Sequence, residues 1–341
     1  MSGRPARTLG TLLLAAGALL PCAVRAGGQE TQALIVVGIG GEEAYRERFH
    51  QWGGQIRAAL VDRHGVRPER LIWLAEQPAK DPANIRGPAT KATVEAALQE
   101  MAGRAGPSDR ILVVLVGHGT ARGQESLFNL AGPDLSGAEL AGLLGLFPTQ
   151  QVAVVNTASA SGAFVSALSG SRRVVVAATR TAMERNETWF GRFFAEALAG
   201  EGTDLDKDGA VSLLEAFEFT RREVERHYKE QNLLLTEHAI LDDDGDGKGS
   251  AELTADAGEG SLARAFRLGS PARAAARADA AAVTDPALRA LLTQREELEV
   301  KVEGLRLRRA SMDATTYDRE LEALLLELAV LSRKIREAGG G

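Results

Sequence analysis

Cysteine is nearly absent from this chain of 341 residues, and the only one is Cys22. A secretory signal is predicted over residues 1–26, because Arg4 and Arg7 precede a short apolar stretch and Val24-Arg25-Ala26 offers a small-residue cleavage site. Removal of that signal would leave a mature protein with neither a thiol nor a disulfide. Such a protein cannot use thiol chemistry. We expect it to be exported, either to a periplasm or out of the cell.

The chain also lacks long apolar runs and an excess of positive charge. The run from Leu9 to Leu20 is too short for a comfortable membrane span. The formal net charge is −6, from 40 basic and 46 acidic residues, and aromatic residues make up only 5% of the chain. Because no basic cluster with interleaved aromatics occurs, we expect neither a nucleic-acid partner nor a membrane-spanning segment.

Histidine is scarce, and one of the five histidines follows a strongly apolar run. The run Ile111–Val116 leads into Gly117-His118-Gly119, and the run Val152–Val155 leads into a turn that contains Ser159-Ala160-Ser161-Gly162. Continuous apolar runs of this length are typical of strands buried on both faces of a parallel sheet. Ligands bind beyond the carboxyl ends of such strands. A nucleophile and its base are therefore expected at these two strand ends.

The other histidines carry no metal-ligand spacing, and no chemistry is assigned to them. The glycines around His118 permit close backbone approach to a ligand, which favours a functional role over a purely structural one. The four remaining positions are His50, His64, His227 and His238.

Strand-like and helix-like segments alternate along the chain, which predicts an α/β fold with a mostly parallel sheet flanked by helices. The predicted strands are Ala33–Val37, Arg70–Leu74, Ile111–Val116, Val152–Asn156 and Arg173–Thr179, with Ala265–Leu268 as a last edge strand. The predicted helices are Glu42–Leu60, Thr90–Met101 and a segment near Ser136–Leu146.

The two polar strand ends resemble those of the caspase–legumain superfamily of cysteine peptidases (clan CD). In that superfamily one strand ends in His-Gly and the next in a Cys-x-Ser-Gly turn. His118-Gly119 matches the first motif, and Ser159-Ala160-Ser161-Gly162 matches the second with serine in place of the nucleophilic cysteine. The resemblance covers about residues 30–270 and implies a caspase–hemoglobinase-like fold.

The same resemblance implies roles for individual residues. His118 would be the base, Ser159 would occupy the nucleophile position, and the amides of Gly119 and Ser159 would form the oxyanion hole. The strand that follows would line the pocket for the substrate residue before the scissile bond. The nearest polar residues for that wall are Thr179, Arg180, Glu184 and Asn186, which could equally be ordinary strand-end and helix-cap residues.

Serine at position 159 leaves three functions open. A serine hydroxyl is far less acidic than a thiol and needs a strong, oriented base. The first hypothesis is therefore a pseudoenzyme that binds a peptide or protein in the cleft. The second is a serine-dependent peptidase or hydrolase that uses Ser159 and His118. The third is an assembly module that acts through the C-terminal helices.

An EF-hand-type calcium loop is predicted over residues 204–215. Three aspartates occupy positions 1, 3 and 5, Gly209 is at position 6, and a glutamate that can supply two oxygens is at position 12. Helical patterns flank the loop at Phe190–Leu198 and Leu213–Tyr228. The expected Ca²⁺ ligands are Asp204, Asp206, Asp208, the Ala210 carbonyl, Ser212 and Glu215.

A second acidic segment, residues 242–253, fits the same pattern only in part. Asp242, Asp244 and Asp246 occupy positions 1, 3 and 5, but position 12 is Leu253, which cannot ligate a metal. Glu252 could substitute from outside the register. An acidic turn without metal is the alternative interpretation.

The C-terminal part predicts a linker followed by two helices. Residues 271–284 are rich in Ala and Arg, and residues 285–338 carry apolar positions with helical spacing. The spacing predicts a helical hairpin or coiled coil, in which the apolar stripe is either the hairpin's own core or a docking and self-association surface. The stripe positions are Leu291, Leu298, Val302, Leu305, Tyr317, Leu321, Leu324, Leu328, Leu331 and Ile335. The chain would thus divide into a signal peptide (1–26), an α/β domain (30–270) with the EF-hand inserted at about 187–253, the linker, and the hairpin.

Overall fold

The computed structural model describes residues 29–206, 210–253, 259–269, 285–307 and 313–339. The predicted signal segment, its Cys22, the linker and the calcium-loop residue Asp208 lie outside these described residues.

A mostly parallel sheet forms the centre of the described structure. Its strands run in the order β10-β9-β8-β4-β1-β2-β3, and only β10 is antiparallel to its neighbour within the described ranges. The strands are β1 (Thr31–Val37), β2 (Leu71–Ala75), β3 (Gly87–Pro88), β4 (Arg110–Val116), β8 (Gln151–Asn156), β9 (Arg173–Ala177) and β10 (Ile240–Asp242). A small antiparallel sheet between β4 and β8 contains β5 (Gly119–Arg122), β6 (Glu125–Phe128) and β7 (Leu135–Ser136).

Helices cover both faces of the large sheet. They are α1 (Glu43–Ala58), α2 (Lys91–Arg104), α3 (Gly137–Leu144), α4 (Ala163–Leu168), α5 (Phe190–Ala199), α6 (Leu213–Glu230) and α7 (Ser261–Ala265). Successive strand residues point to opposite faces, so Ile35 packs in the layer of α1, α5 and α6, while Leu34 packs in the layer of α2, α3 and α4. Burial of each such side chain stabilises the fold by about 1.5–3 kcal/mol. The predicted fold class is confirmed.

The strand order reverses direction between β1 and β4. From β1 the chain builds outward through β2 and β3, and from β4 it builds the other way through β8 and β9. At the carboxyl ends of the two central strands, the Gly38 amide donates to the Val116 carbonyl at 2.9 Å. Such a switch point is where open α/β sheets form a ligand crevice, and His118 lies two residues beyond the end of β4.

The prediction of a last edge strand at Ala265–Leu268 is wrong. Residues 261–265 form α7, and Arg267 makes only an isolated bridge with Ser212. The strand at the edge next to β9 is β10, and its Ile240 and Leu241 are buried against β9. Three residues between an acidic loop and a polar segment give too short an apolar run to stand out in the sequence.

Two further helices, α8 (Pro286–Leu307) and α9 (Ala314–Gly339), pack against each other. Five stripe residues are buried there, and the other five are half-buried. The buried residues are Leu298, Val302, Leu305, Tyr317 and Leu331. No helix in the described ranges has an apolar stretch long enough to cross a membrane.

Candidate functional site

His118 lies between β4 and β5, with its ring packed against α1. The ring centroid lies 4.6 Å from that of Tyr45 and 4.9 Å from that of Phe49, both in edge-on geometry. Its imidazole also hydrogen-bonds the Gly40 backbone. Burial lowers the pKa of His118 and outweighs this hydrogen bond, which favours the charged form. The imidazole is therefore neutral at neutral pH, as a general base must be.

Ser159 lies in the turn that follows β8, and the structure brings it next to Gly119. The Ser159 hydroxyl donates to the Gly119 carbonyl at 3.1 Å and accepts from the Gly119 amide at 3.3 Å. The Ser159 residue is only 5% exposed. A Cβ atom at position 119 would lie 2.1 Å from the Ser159 carbonyl oxygen, so this approach requires glycine.

These hydrogen bonds determine whether Ser159 and His118 can act as a nucleophile and its base in this structure. A serine hydroxyl has one hydrogen, and here it is directed to a backbone carbonyl and not to the His118 imidazole. The Gly119 amide, one of the two amides that the family resemblance assigns to the oxyanion hole, is already occupied by the Ser159 oxygen. The predicted residues are thus adjacent in space but not arranged as a nucleophile, base and oxyanion hole.

The rest of the serine-rich turn is held by buried hydrogen bonds. The Ser161 hydroxyl lies 3.2 Å from that of Thr179, and the Gly162 amide donates to the Thr179 hydroxyl at 3.1 Å. Ala160 adopts a φ of 51°, and its amide donates to the Glu184 carbonyl at 2.7 Å. The turn is therefore fixed from both sides, by the end of β9 and by the segment after it.

The four predicted wall residues have different environments. Thr179 is fully buried, and its hydroxyl makes the hydrogen bonds with Ser161 and Gly162. The Glu184 carboxylate lies 3.2 Å from Nδ1 of His238 and also accepts the His238 amide, while Asn186 is exposed. Only Arg180 lines a cleft.

That cleft has a volume of about 410 Å³ and lies beside the serine-rich turn, α4 and β10. Its charged lining residues are Arg180 and Lys248, and no carboxylate is among its lining residues. Lys248 belongs to the second acidic segment, where its ammonium lies 3.4 Å from Asp246.

A polar cluster beside His118 was missed by sequence reasoning. The Glu187 carboxylate pairs with Arg48 at 2.6 Å and accepts the Tyr45 hydroxyl at 3.2 Å. Nearby Glu237, which is 2% exposed, accepts the Trp189 amide at the start of α5, and burial raises the pKa of Glu237 to about 7. Neither acid has a sequence signal, because their partners are more than 40 residues away in the chain.

The first acidic loop lies between α5 and α6. Carboxylate oxygens of Asp204, Asp206 and Glu215 all lie within 4.8 Å of one another. Ser212 caps α6, and the Ser212 amide and hydroxyl donate to Glu215 at 2.8 Å and 2.7 Å. Burial opposes ionisation of Glu215, but the hydrogen bonds from Ser212, Leu205 and Asp206 prevail and lower its pKa. The charged carboxylate and its neighbours fit an oxygen-binding cation such as Ca²⁺.

Glu259, which the sequence pattern did not include, lies beside the three aspartates of the second acidic segment. Oxygens of Asp242, Asp244, Asp246 and Glu259 lie within 4.8 Å of one another. Glu252, the substitute proposed from the sequence, is exposed and is not in this cluster. Burial, followed by repulsion from the nearby aspartates, raises the pKa of Glu259 to about 7.

No protein-family model and no curated protein matches this sequence. Similar solved structures include caspase-1 from Spodoptera frugiperda, at 10% identity and a TM-score of 0.39, covering 64% of this chain and 87% of that chain. A protein from Geobacter sulfurreducens matches at 14% identity and a TM-score of 0.41, covering 62% of this chain and 92% of that chain. Both similarities are distant, and neither carries an argument about activity.

Proposed function

We propose that this chain is an exported, peptidase-like pseudoenzyme that binds Ca²⁺ and a peptide or protein ligand. The observation that carries the proposal is the pair of hydrogen bonds between the Ser159 hydroxyl and the Gly119 backbone. Catalysis would require the hydroxyl to leave both Gly119 groups and to turn toward His118. Each buried hydrogen bond lost without replacement costs about 1–3 kcal/mol.

Labelling with a serine-directed fluorophosphonate tests whether the Ser159 hydroxyl is reactive. We expect the full chain to show no more labelling than Ser159→Ala, because a buried hydroxyl that donates to a backbone carbonyl and not to a base is a poor nucleophile. The modified residue would be located by mass spectrometry. Labelling at Ser159 that disappears in His118→Ala would instead support the serine-hydrolase alternative.

The cleft beside the serine-rich turn is the proposed ligand site. Its cations, Arg180 and Lys248, favour a ligand that carries carboxylates. We expect Arg180→Glu to weaken binding of an acidic peptide by roughly tenfold or more. Arg185→Glu is the matched control, since Arg185 is exposed in the same segment but does not line the cleft. Equal losses in both variants would contradict the assignment of the cleft.

Self-association is the second candidate function, and one observation favours it. Leu325, Leu326 and Val330 on α9 are large apolar residues that are 44%, 61% and 45% exposed. Sedimentation of the full chain tests it, with Leu326→Glu expected to shift an oligomer toward monomer. Leu234→Glu is the matched control, because Leu234 is 83% exposed outside the C-terminal helices. A parent chain that is monomeric at all concentrations would rule this candidate out.

A further inference from the structure

Two carboxylate oxygens in the second acidic segment have no hydrogen-bond partner although both atoms are buried. They are Oδ2 of Asp242 and Oε2 of Glu259. The Asp242 residue is only 1% exposed, while its other oxygen accepts the Gly245 amide at 3.1 Å. A buried carboxylate oxygen without a donor costs free energy that a protein rarely leaves uncompensated.

The residues clustered around Asp242 and Glu259 are other acids, and the one cation paired with the cluster among the described residues is the exposed Lys248, 3.4 Å from Asp246. Oxygens of Asp242, Asp244, Asp246 and Glu259 converge within 4.8 Å. Bringing four acids so close is unfavourable unless a cation neutralises them. The buried Oδ2 of Asp242, which accepts no hydrogen bond, is an observation independent of the clustering. It also indicates that a cation belongs at this position.

Glu259 reaches this cluster because Asp243 holds the chain next to it. The Asp243 carboxylate accepts the Gly260 amide at 2.7 Å and the Ala263 amide at 2.8 Å. Gly260 has a φ of +94°, which turns the chain directly after Glu259. Asp242 and Asp243 are adjacent in sequence but have different roles. Asp242 faces the acidic cluster, and Asp243 positions Glu259, which completes it.

We propose that Asp242, Asp244, Asp246 and Glu259 bind one Ca²⁺ ion, with Glu259 supplying the carboxylate that Leu253 cannot. Oxygen-only ligands exclude the cations that favour nitrogen or sulfur. Four clustered carboxylates suit Ca²⁺ better than Mg²⁺, which retains most of its water and is held by one or two carboxylates. The site is separate from the loop at residues 204–215 and does not depend on it.

Calorimetric titration of the chelator-treated full chain with CaCl₂ tests the proposal. Glu259→Gln is expected to bind one Ca²⁺ ion fewer than the parent, and Asp242→Asn should do the same. Glu252→Gln is the matched control and is expected to bind as many ions as the parent, because Glu252 lies in the same segment but outside the cluster. Glu215→Gln reports on the first loop alone, so failure of either site is identified separately.

Thermal unfolding separates a ligand role from a structural one. Glu259→Gln removes one negative charge from the cluster, so in chelator it is expected to melt no lower than the parent. In Ca²⁺ it is expected to lose part of the rise in Tm that the parent shows. An unchanged ion count, or a lower Tm in chelator together with an unchanged Ca²⁺-induced rise, would overturn the proposal.

Discussion

At the scale of single residues, we propose that the Ser159 hydroxyl has a structural role. It joins the turn after β8 to the start of β5 through both backbone groups of Gly119. The Ser159→Ala substitution leaves those two groups without their partner in a nearly buried position. We expect it to lower the free energy of unfolding by about 1–3 kcal/mol, measured by urea denaturation. Ser171→Ala, at an exposed serine, is the control and is expected to change stability little. Equal stability of Ser159→Ala and the parent would contradict this role.

His64 gives the molecule a pH-dependent stability. It is 2% exposed, its Nε2 lies 2.8 Å from the Leu198 carbonyl, and burial lowers its pKa to about 4. Between pH 6.5 and 4 the unfolded chain binds a proton that the folded chain does not. The His64 contribution to stability is therefore complete above pH 6.5 and falls by about 3 kcal/mol by pH 4. Denaturant unfolding across this range should show the parent losing stability relative to His64→Gln. Parallel profiles would contradict it.

At the scale of elements, the loop between α5 and α6 combines a helix cap with a candidate cation ligand. Glu215 belongs to the capping box of α6 and faces Asp204 and Asp206. Glutamine preserves the capping box but not the charged, bidentate ligand. We expect Glu215→Gln to keep most of its stability in chelator and to lose most of the Ca²⁺-induced gain. For the parent that gain is about 2.7 kcal/mol when free Ca²⁺ is 100 times its Kd.

Calorimetry or a thermal shift assay measures this difference. Glu218→Gln is the control, because Glu218 is a nearby glutamate of α6 that is not in the acidic cluster. An undiminished Ca²⁺ response in Glu215→Gln would show that the first loop does not bind the ion.

The elements show what sequence pattern can and cannot predict. Buried strands such as β4 and β8 are predictable because their apolar runs are long, and α6 because its cap and apolar face coincide. The three-residue β10 was missed because it has no periodicity of its own. Glu259 was missed because Asp243 fixes it beside the acidic loop through the amides of Gly260 and Ala263, which lie 17 and 20 residues further along the chain. The engagement of Ser159 by Gly119 depends on how two loops pack, which no local pattern encodes.

At the scale of the whole molecule, the carboxyl edge of the sheet holds the residues that the sequence predicts for catalysis. His118 and Gly119 follow β4, the serine-rich turn follows β8, and both meet at the carboxyl edge. His118 and Ser159 are both present, but the Ser159 hydroxyl is hydrogen-bonded to both backbone groups of Gly119. The acidic loops lie elsewhere, one between α5 and α6 and one after β10. Under the proposed function, Ca²⁺ would stabilise the structure and would take no part in chemistry at the strand ends.

Cleavage of a mixed fluorogenic peptide library, in the presence of Ca²⁺, tests the central claim most directly. The full chain, Ser159→Ala and Ser159→Cys would be compared under identical conditions. The account predicts no cleavage by the parent or by Ser159→Ala. Cleavage by Ser159→Cys alone would show that His118 and the Gly119 amide can still serve a nucleophile at position 159, and would restrict the claim to the inadequacy of serine. Cleavage by the parent that is lost in Ser159→Ala would contradict it and make Ser159 a catalytic residue.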